Sequence, residues 1–194
     1  MDALTRDLME QLSSGALSEI GKTVGVDEKK ASSALSAAMP LLVSALANNA
    51  SEPSGANDLL RALQEDHDGS VLGDLGGLLQ DPQAGEGPGI LKHALGQKRP
   101  VVEKGLSQKT GLSGDQIGQI LTIAAPLVMG MLGKTQREKG LDASGLASML
   151  GSAKQQDAED APDLLGILNT AFDADKDGSA VDDVMGFVGK MFKK

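Results

Sequence analysis

An acidic stretch near the C-terminal end of the sequence, FDADKDGSAVDDVMG, has the residue types and the spacing of a calcium-binding loop. In an EF-hand loop, ligands stand at positions 1, 3, 5, 7, 9 and 12, and a glycine at position 6 makes the sharp turn. Alternating aspartates followed by Gly178 reproduce positions 1 to 6, but position 12 is Val184, where an EF-hand carries a bidentate Glu. A shortened loop would close on the preceding acid. The candidate Ca²⁺ ligands are Asp173, Asp175, Asp177, Ser179 and Asp183.

The same residues are also typical of a turn between two helices. Gly178 can adopt a left-handed conformation, Ser179 can cap the following helix, and Asp182 completes a capping box. An upstream stretch, DHDGSVLGDLGG, aligns with DKDGSAVDDVMG at an offset of 109 but has Gln64 where the second stretch has Asp173. We therefore predict that the first loop is structural. For the second loop, a turn and a weak Ca²⁺ site with a Kd of about 10⁻⁴–10⁻³ M remain alternatives.

A second internal alignment indicates that most of the chain is duplicated. The stretches AMPLL at residues 38–42 and AAPLV at residues 124–128 align at an offset of 86, and each contains a proline, Pro40 or Pro126. Both prolines lie within long apolar stretches that predict helices. The predicted N-caps of these helices are Asp27 and Ser113, and Ser113 forms a capping-box pattern with Gln116. Because proline removes an i→i−4 hydrogen bond, each helix is expected to kink or to divide at that point. The sequence predicts two copies of one helical unit stacked together.

The turns and polar segments divide the predicted architecture into four parts. Residues 1–80 form the first helical repeat, which ends in the DHDGS loop, and residues 81–150 form the second. A polar, charged stretch at 151–163 is predicted to be a flexible acidic linker. Residues 164–194 are predicted as a helix, the acidic loop and a further helix, which belong to the second repeat.

The composition favours an all-α, multihelical fold. The chain has no Cys, Trp or Tyr, and its three Phe residues lie at positions 172, 187 and 192. Scarce aromatic and β-branched residues argue against an extensive sheet, whereas Ala, Leu and Met are good helix formers. The absence of Cys excludes disulfides, thiol nucleophiles and Cys-ligated metal sites from this sequence.

The charge and the apolar runs limit the classes of partner. A net charge of −9 disfavours binding to nucleic acid. The longest apolar runs, residues 34–47 and 120–132, are shorter than the roughly 20 residues needed to cross a bilayer. The N-terminal sequence MDALTRDLMEQLSSG lacks the apolar region of a secretory signal. We expect a cytoplasmic protein with no membrane span, with an unidentified protein as the partner class, and the sequence does not give its oligomeric state.

Four stretches of the sequence resemble a known family. They are LLRALQEDHDGSVLGDLGGLL, GPGILKHALG, GLSGDQIGQILTIAAPLVMGML and LLGILNTAFDADKDGSAVDDVMGFVGKMF. In this order they resemble the YidB-like family of bacterial proteins, a domain of unknown function, over residues 25–192. The resemblance implies a bacterial origin and an all-helical fold, and it transfers no catalytic residue.

Two hypotheses for function follow. The first is a non-enzymatic helical scaffold or binding protein, modulated by a weak Ca²⁺ site in the C-terminal DxDxDG loop. It is favoured because neither His67 nor His93 has a partner at catalytic spacing in the sequence. The alternative is an enzyme with a cleft between the repeats that uses His93 and nearby acids. A deep pocket that joins His93 to buried carboxylates would support the enzyme.

Overall fold

The computed structural model describes residues 3–12 and 14–172, and within these ranges the chain forms ten α-helices and no β-strand. This confirms the predicted all-α, multihelical fold. The helices are α1 (Ala3–Gln11), α2 (Ser14–Val24), α3 (Glu28–Asn49), α4 (Pro53–Glu65), α5 (Leu75–Gln80), α6 (Gly87–Ala94), α7 (Arg99–Thr110), α8 (Gly114–Lys139), α9 (Ala143–Asp160) and α10 (Pro162–Phe172). Short 3₁₀ turns at Ser70–Leu72 and Gly96–Lys98 precede α5 and α7.

The two long helices, α3 and α8, pack against each other at the centre of the fold. Both begin at the caps that the sequence predicts. Asp27 accepts a hydrogen bond of 2.9 Å from the backbone N–H of Lys30. Ser113 and Gln116 form a capping box in which each side chain accepts from the other's backbone N–H. The shorter helices cover the central pair with Leu, Ile, Val and Ala side chains, and the hydrophobic core of the described residues consists of aliphatic side chains and methionine.

Neither internal proline divides its helix. The helix α3 continues past Pro40 to Asn49, and α8 continues past Pro126 to Lys139. In each helix the proline stands 12 positions after the first residue, Glu28 or Gly114. Each proline removes one backbone hydrogen bond from its helix, and packing on all sides of the helix keeps it continuous despite this loss.

Both long helices are long and apolar enough to cross a membrane by length and composition alone. The most apolar window of α3 is 78% buried within the protein, and that of α8 is 89% buried. Core helices of soluble proteins have the same length and composition. The apolar surface of both helices is used here to form the core.

The predicted linker is not observed as a separate segment, because α9 runs without interruption from Ala143 to Asp160. The Ala, Gln and Lys residues of this stretch are compatible with a helix. Lys154 donates a hydrogen bond of 2.6 Å to the side chain of Asn48 on α3, and Asp157 is buried. The break in the chain comes instead at Pro162, the first residue of α10, where a proline suits the start of a helix.

At the predicted offset of 86, the duplication would pair α1 to α4 with α6 to α9. The helices α3 and α8, which it would pair with each other, are the longest of the described helices. The duplication and the boundaries of its two units remain predictions from the sequence.

Candidate binding cleft

A cleft of about 950 Å³ lies between α4 and α6. Its floor is formed by Leu46 of α3 and Met129 of α8, both buried. Its walls expose the apolar side chains of Leu59 and Ala62 on α4 and of Ile90 on α6. The volume is in the range of small-molecule and peptide pockets, which are lined mainly by apolar side chains with a few polar groups.

The position of α6 depends on a close approach to α8. Pro126 has no N–H, so the carbonyl of Thr122, four residues earlier, loses its usual partner in the helix. The backbone of Gly87 lies against this carbonyl oxygen, which occupies the space that a Cβ atom on Gly87 would need. At the other end of α6, the Asn49 side chain donates hydrogen bonds to the carbonyls of His93 (2.9 Å) and Ala94 (3.3 Å). Both ends of this wall are therefore fixed.

The loop that follows α4 packs against two glycines of α8, Gly130 and Gly133. The carbonyl oxygen of His67 occupies the space beside Gly133 where a Cβ atom would stand, and Arg137 Nη2 donates to the same oxygen at 3.3 Å. One turn away, the Val71 side chain lies against Gly130. The loop after α4 therefore rests on α8 through backbone contacts.

The loop DHDGS is a structural turn, as the sequence predicts. Gly69 has φ +89°, in the left-handed region. Asp68 accepts a hydrogen bond of 2.9 Å from the N–H of Ser70, and Asp74 accepts one of 3.0 Å from Gly77 to cap α5. Ser70 itself makes no cap. Hydrogen bonds from the Ser70 hydroxyl and N–H, with the charge of Arg137, lower the pKa of Asp68 below 3.8.

A contact between a histidine and a carboxylate joins the two walls of the cleft. His67 Nδ1 lies 3.2 Å from Glu86 Oε2, which connects the end of α4 to the residue before α6. The His67 side chain is 10% exposed and that of Glu86 is 62% exposed. Because Glu86 is largely solvated, this pair contributes little to stability, but it orients His67 across one end of the cleft.

Carboxylates dominate the charged rim. Among the residues that line the cleft there are four carboxylates and one guanidinium, and all of these charged residues are exposed: Asp58, Arg61, Glu65, Asp66 and Glu86. Arg61 pairs with Asp58 at 3.2 Å. Glu65 and Asp66 have no basic partner within the described part of the chain. The rim is therefore negative above an apolar floor.

The structure places His93 on the rim of this cleft, but the geometry does not supply the buried carboxylates expected for the enzyme hypothesis. His93 and the neighbouring acids are exposed. Asp157 is buried but does not line the cleft. No group of three His, Asp or Glu side chains close enough to hold a metal occurs among the described residues. The predicted Ca²⁺ ligands Asp173, Asp175, Asp177, Ser179 and Asp183 lie outside the described residues.

Sequence reasoning missed the acidic rim, although part of its signal is local. Asp58 and Glu65 are seven residues apart, so two helical turns place them on one face of α4 beside Leu59 and Ala62. Glu86 belongs to a different element. Its approach to His67 depends on how α6 packs on α8, which no local pattern indicates.

A smaller cleft of about 410 Å³ lies between α1, the end of α8 and α9. Seven of its eleven described lining residues match residues of the first cleft at the offsets of the predicted duplication, 86 before the insertion and 87 after it. The matched pairs are Ala3 with Gly89, Leu4 with Ile90, Asp7 with His93, Thr135 with Asn49, Met149 with Ala62, Ser152 with Glu65 and Ala153 with Asp66. The second cleft therefore has Ser and Ala where the first has two acids.

Comparison with known proteins gives one family. The family described as "bacterial protein of unknown function (DUF937)" matches residues 6–135, about two thirds of the chain. The YidB-like resemblance is consistent with this match. No curated protein and no solved structure matches the chain.

Proposed function

We propose that this chain, which belongs to the DUF937 family of bacterial proteins of unknown function, is a non-enzymatic helical binding protein that receives its partner between α4 and α6. The observation that carries the proposal is the cleft of about 950 Å³ with an apolar floor and a polar rim. Such a combination is typical of binding sites, because the floor contributes affinity and the rim fixes orientation.

The rigidity of the walls supports a binding role. Gly87 and Asn49 fix α6, and Gly133 fixes the loop after α4. A site whose walls are already in place loses less conformational entropy when a partner binds. Three lining side chains, those of Asn49, His67 and Glu86, make contacts that hold the walls, whereas the other lining side chains make none of these contacts and can contact a partner.

The exposure of the titratable groups favours binding over catalysis. General acid–base chemistry uses groups whose pKa values are adjusted by burial or by close charges. His93, Glu65 and Asp66 are exposed to solvent. A scaffold or binding role needs no buried acid or base.

The test compares two glycine-to-tryptophan variants. Gly89 lines the cleft on α6, and Gly151 lies on α9 outside both clefts; a Cβ atom at either position would contact nothing within 4 Å. A displayed library of random 16-residue peptides would be selected on the unmodified protein, and the enriched peptides would then be measured on both variants. We expect the peptides to lose affinity for Gly89→Trp and to keep it for Gly151→Trp. Equal binding to both variants, or no enriched peptide, would overturn the proposal.

A further inference from the structure

We propose that the partner of this cleft is an amphipathic α-helix that carries Lys or Arg side chains beside its apolar face. This inference rests on the proposed function and names the class of partner at the same site. Two features of the cleft support it together: the apolar floor would contact the apolar face of such a helix, and the acidic rim would contact its Lys or Arg side chains.

The spacing of the acids suits a helical partner. Asp58 and Glu65 stand seven residues apart on α4, which is a rise of about 10.5 Å along the helix. Basic residues seven apart on a partner helix span the same distance, and the one beside Asp58 would share that carboxylate with Arg61. Glu65 and Asp66 have no basic partner in the described residues, so a cationic side chain at the end of α4 would meet charge that is not already neutralised.

Other modes of peptide recognition require surfaces that the cleft lacks. Strand addition needs a free sheet edge, and the described residues form no strand. Recognition of a proline-rich segment needs aromatic side chains, and none of the described residues that line the cleft is Phe, Tyr or Trp. Capture of phosphorylated or acidic segments needs clustered Arg, whereas here Arg61 is already paired with Asp58. Among the modes that use a groove with an apolar floor, the amphipathic helix fits these side chains.

The second cleft provides an internal comparison. At the predicted offset of 87, Gly145, Ser152 and Ala153 stand where the first cleft has Asp58, Glu65 and Asp66. The matching helix, α9, forms without these acids. The acids are therefore not required by the helical scaffold, and their grouping at the larger cleft indicates selection of a basic partner.

The experiment uses a fluorescently labelled 14-residue peptide of Leu and Lys at helical spacing, and a matched peptide with Glu in place of Lys. Anisotropy with the full chain gives Kd. We expect the Lys peptide to bind, to become helical by circular dichroism, and to bind about three- to tenfold more weakly to Glu65→Gln/Asp66→Asn, because exposed charge pairs each contribute modestly. Raising the salt concentration from 50 to 300 mM should also weaken its binding.

A control variant distinguishes the loss of charge at the cleft from the same change in the net charge of the protein. Glu138→Gln/Glu159→Gln removes two exposed carboxylates elsewhere and should leave Kd within about twofold of the unmodified protein. An equal loss in both double variants, equal binding of the Glu peptide, or binding without gain of helicity would overturn the inference. Equal binding of the Lys peptide to Gly89→Trp would instead show that this peptide binds outside the cleft, which would also overturn it. The proposed function has a separate test: it is contradicted if the peptides selected from the library bind Gly89→Trp and Gly151→Trp equally, or if no peptide is enriched.

Discussion

Replacement of Gly133 by Ala tests whether backbone contact with α8 fixes the end of α4. Gly133 lies within α8, where Ala has the higher helix propensity and would ordinarily stabilise the protein by about 1 kcal/mol. In this structure the carbonyl oxygen of His67 occupies the space that the Ala Cβ would need. The oxygen belongs to the backbone, so the loop after α4 must move as a unit.

The expected loss of stability has two parts. Overpacking of a tight contact costs about 1–3 kcal/mol. Movement of the loop also lengthens the hydrogen bond from Arg137 to the His67 carbonyl, which contributes at most about 1 kcal/mol. After the gain in helix propensity is subtracted, we expect Gly133→Ala to lower the free energy of unfolding by up to about 3 kcal/mol. For a chain of this length, each kcal/mol corresponds to about 2–4 °C in Tm.

Gly151→Ala is the matched control. Gly151 also lies within a helix, but a Cβ atom there would contact nothing within 4 Å. Urea unfolding followed by circular dichroism should show a loss of stability for Gly133→Ala and a gain of up to about 1 kcal/mol for Gly151→Ala. If Gly133→Ala were as stable as Gly151→Ala, the contact with His67 would not constrain the loop, and the reasoning would be refuted.

Three further changes give separate tests. Ser113→Ala removes the cap of α8 and should lower the free energy of unfolding by about 1 kcal/mol in urea, and an unchanged midpoint would contradict the role of the cap. The folded structure lowers the pKa of Asp68, so its carboxylate stabilises the fold at pH values above 3.8, its pKa in the unfolded chain. This stabilisation is lost as the pH falls below 3.8 and through the lower pKa of the folded protein. The difference in Tm between unmodified protein and Asp68→Asn should therefore shrink from pH 7 to pH 2.5, whereas a constant difference would exclude this linkage. Calorimetric titration with millimolar Ca²⁺ should give heat with the unmodified protein and none with Asp173→Ala/Asp177→Ala, and no heat with either protein would exclude the predicted ion site.

Local features of the fold could be predicted from the sequence because each depends on neighbouring residues. The cap at Asp27, the capping box at Ser113 and the left-handed turn at Gly69 are all confirmed. In each case, one side chain or one glycine satisfies backbone groups within a few positions. Tertiary contacts were not needed to infer them.

The structure differs from expectation where distant packing decides the outcome. A polar composition at residues 151–163 predicted a linker, but contacts such as that of Lys154 with Asn48 hold residues 151–160 in α9. For Pro40 and Pro126 the sequence left a kink and a break as alternatives, and the surrounding core keeps both helices continuous, so neither helix is divided. The residues that meet across the cleft could not be predicted from the sequence either, because the approach of Glu86 to His67 depends on the packing of α6.

The described glycines reveal how the cleft is constructed. Gly55 of α4 lies against the carbonyl of Asn49, Gly87 of α6 against that of Thr122, and Gly133 of α8 against that of His67. In each case, a Cβ atom would collide with a backbone oxygen that cannot rotate away. The walls are therefore positioned by backbone contacts, and a larger residue at Gly87 or Gly133, neither of which lines the cleft, would move a wall without changing a lining side chain. Such variants should weaken partner binding through wall position, whereas Glu65→Gln/Asp66→Asn should weaken it through charge and leave stability nearly unchanged. Unfolding and binding measurements on the same variants can distinguish these two effects.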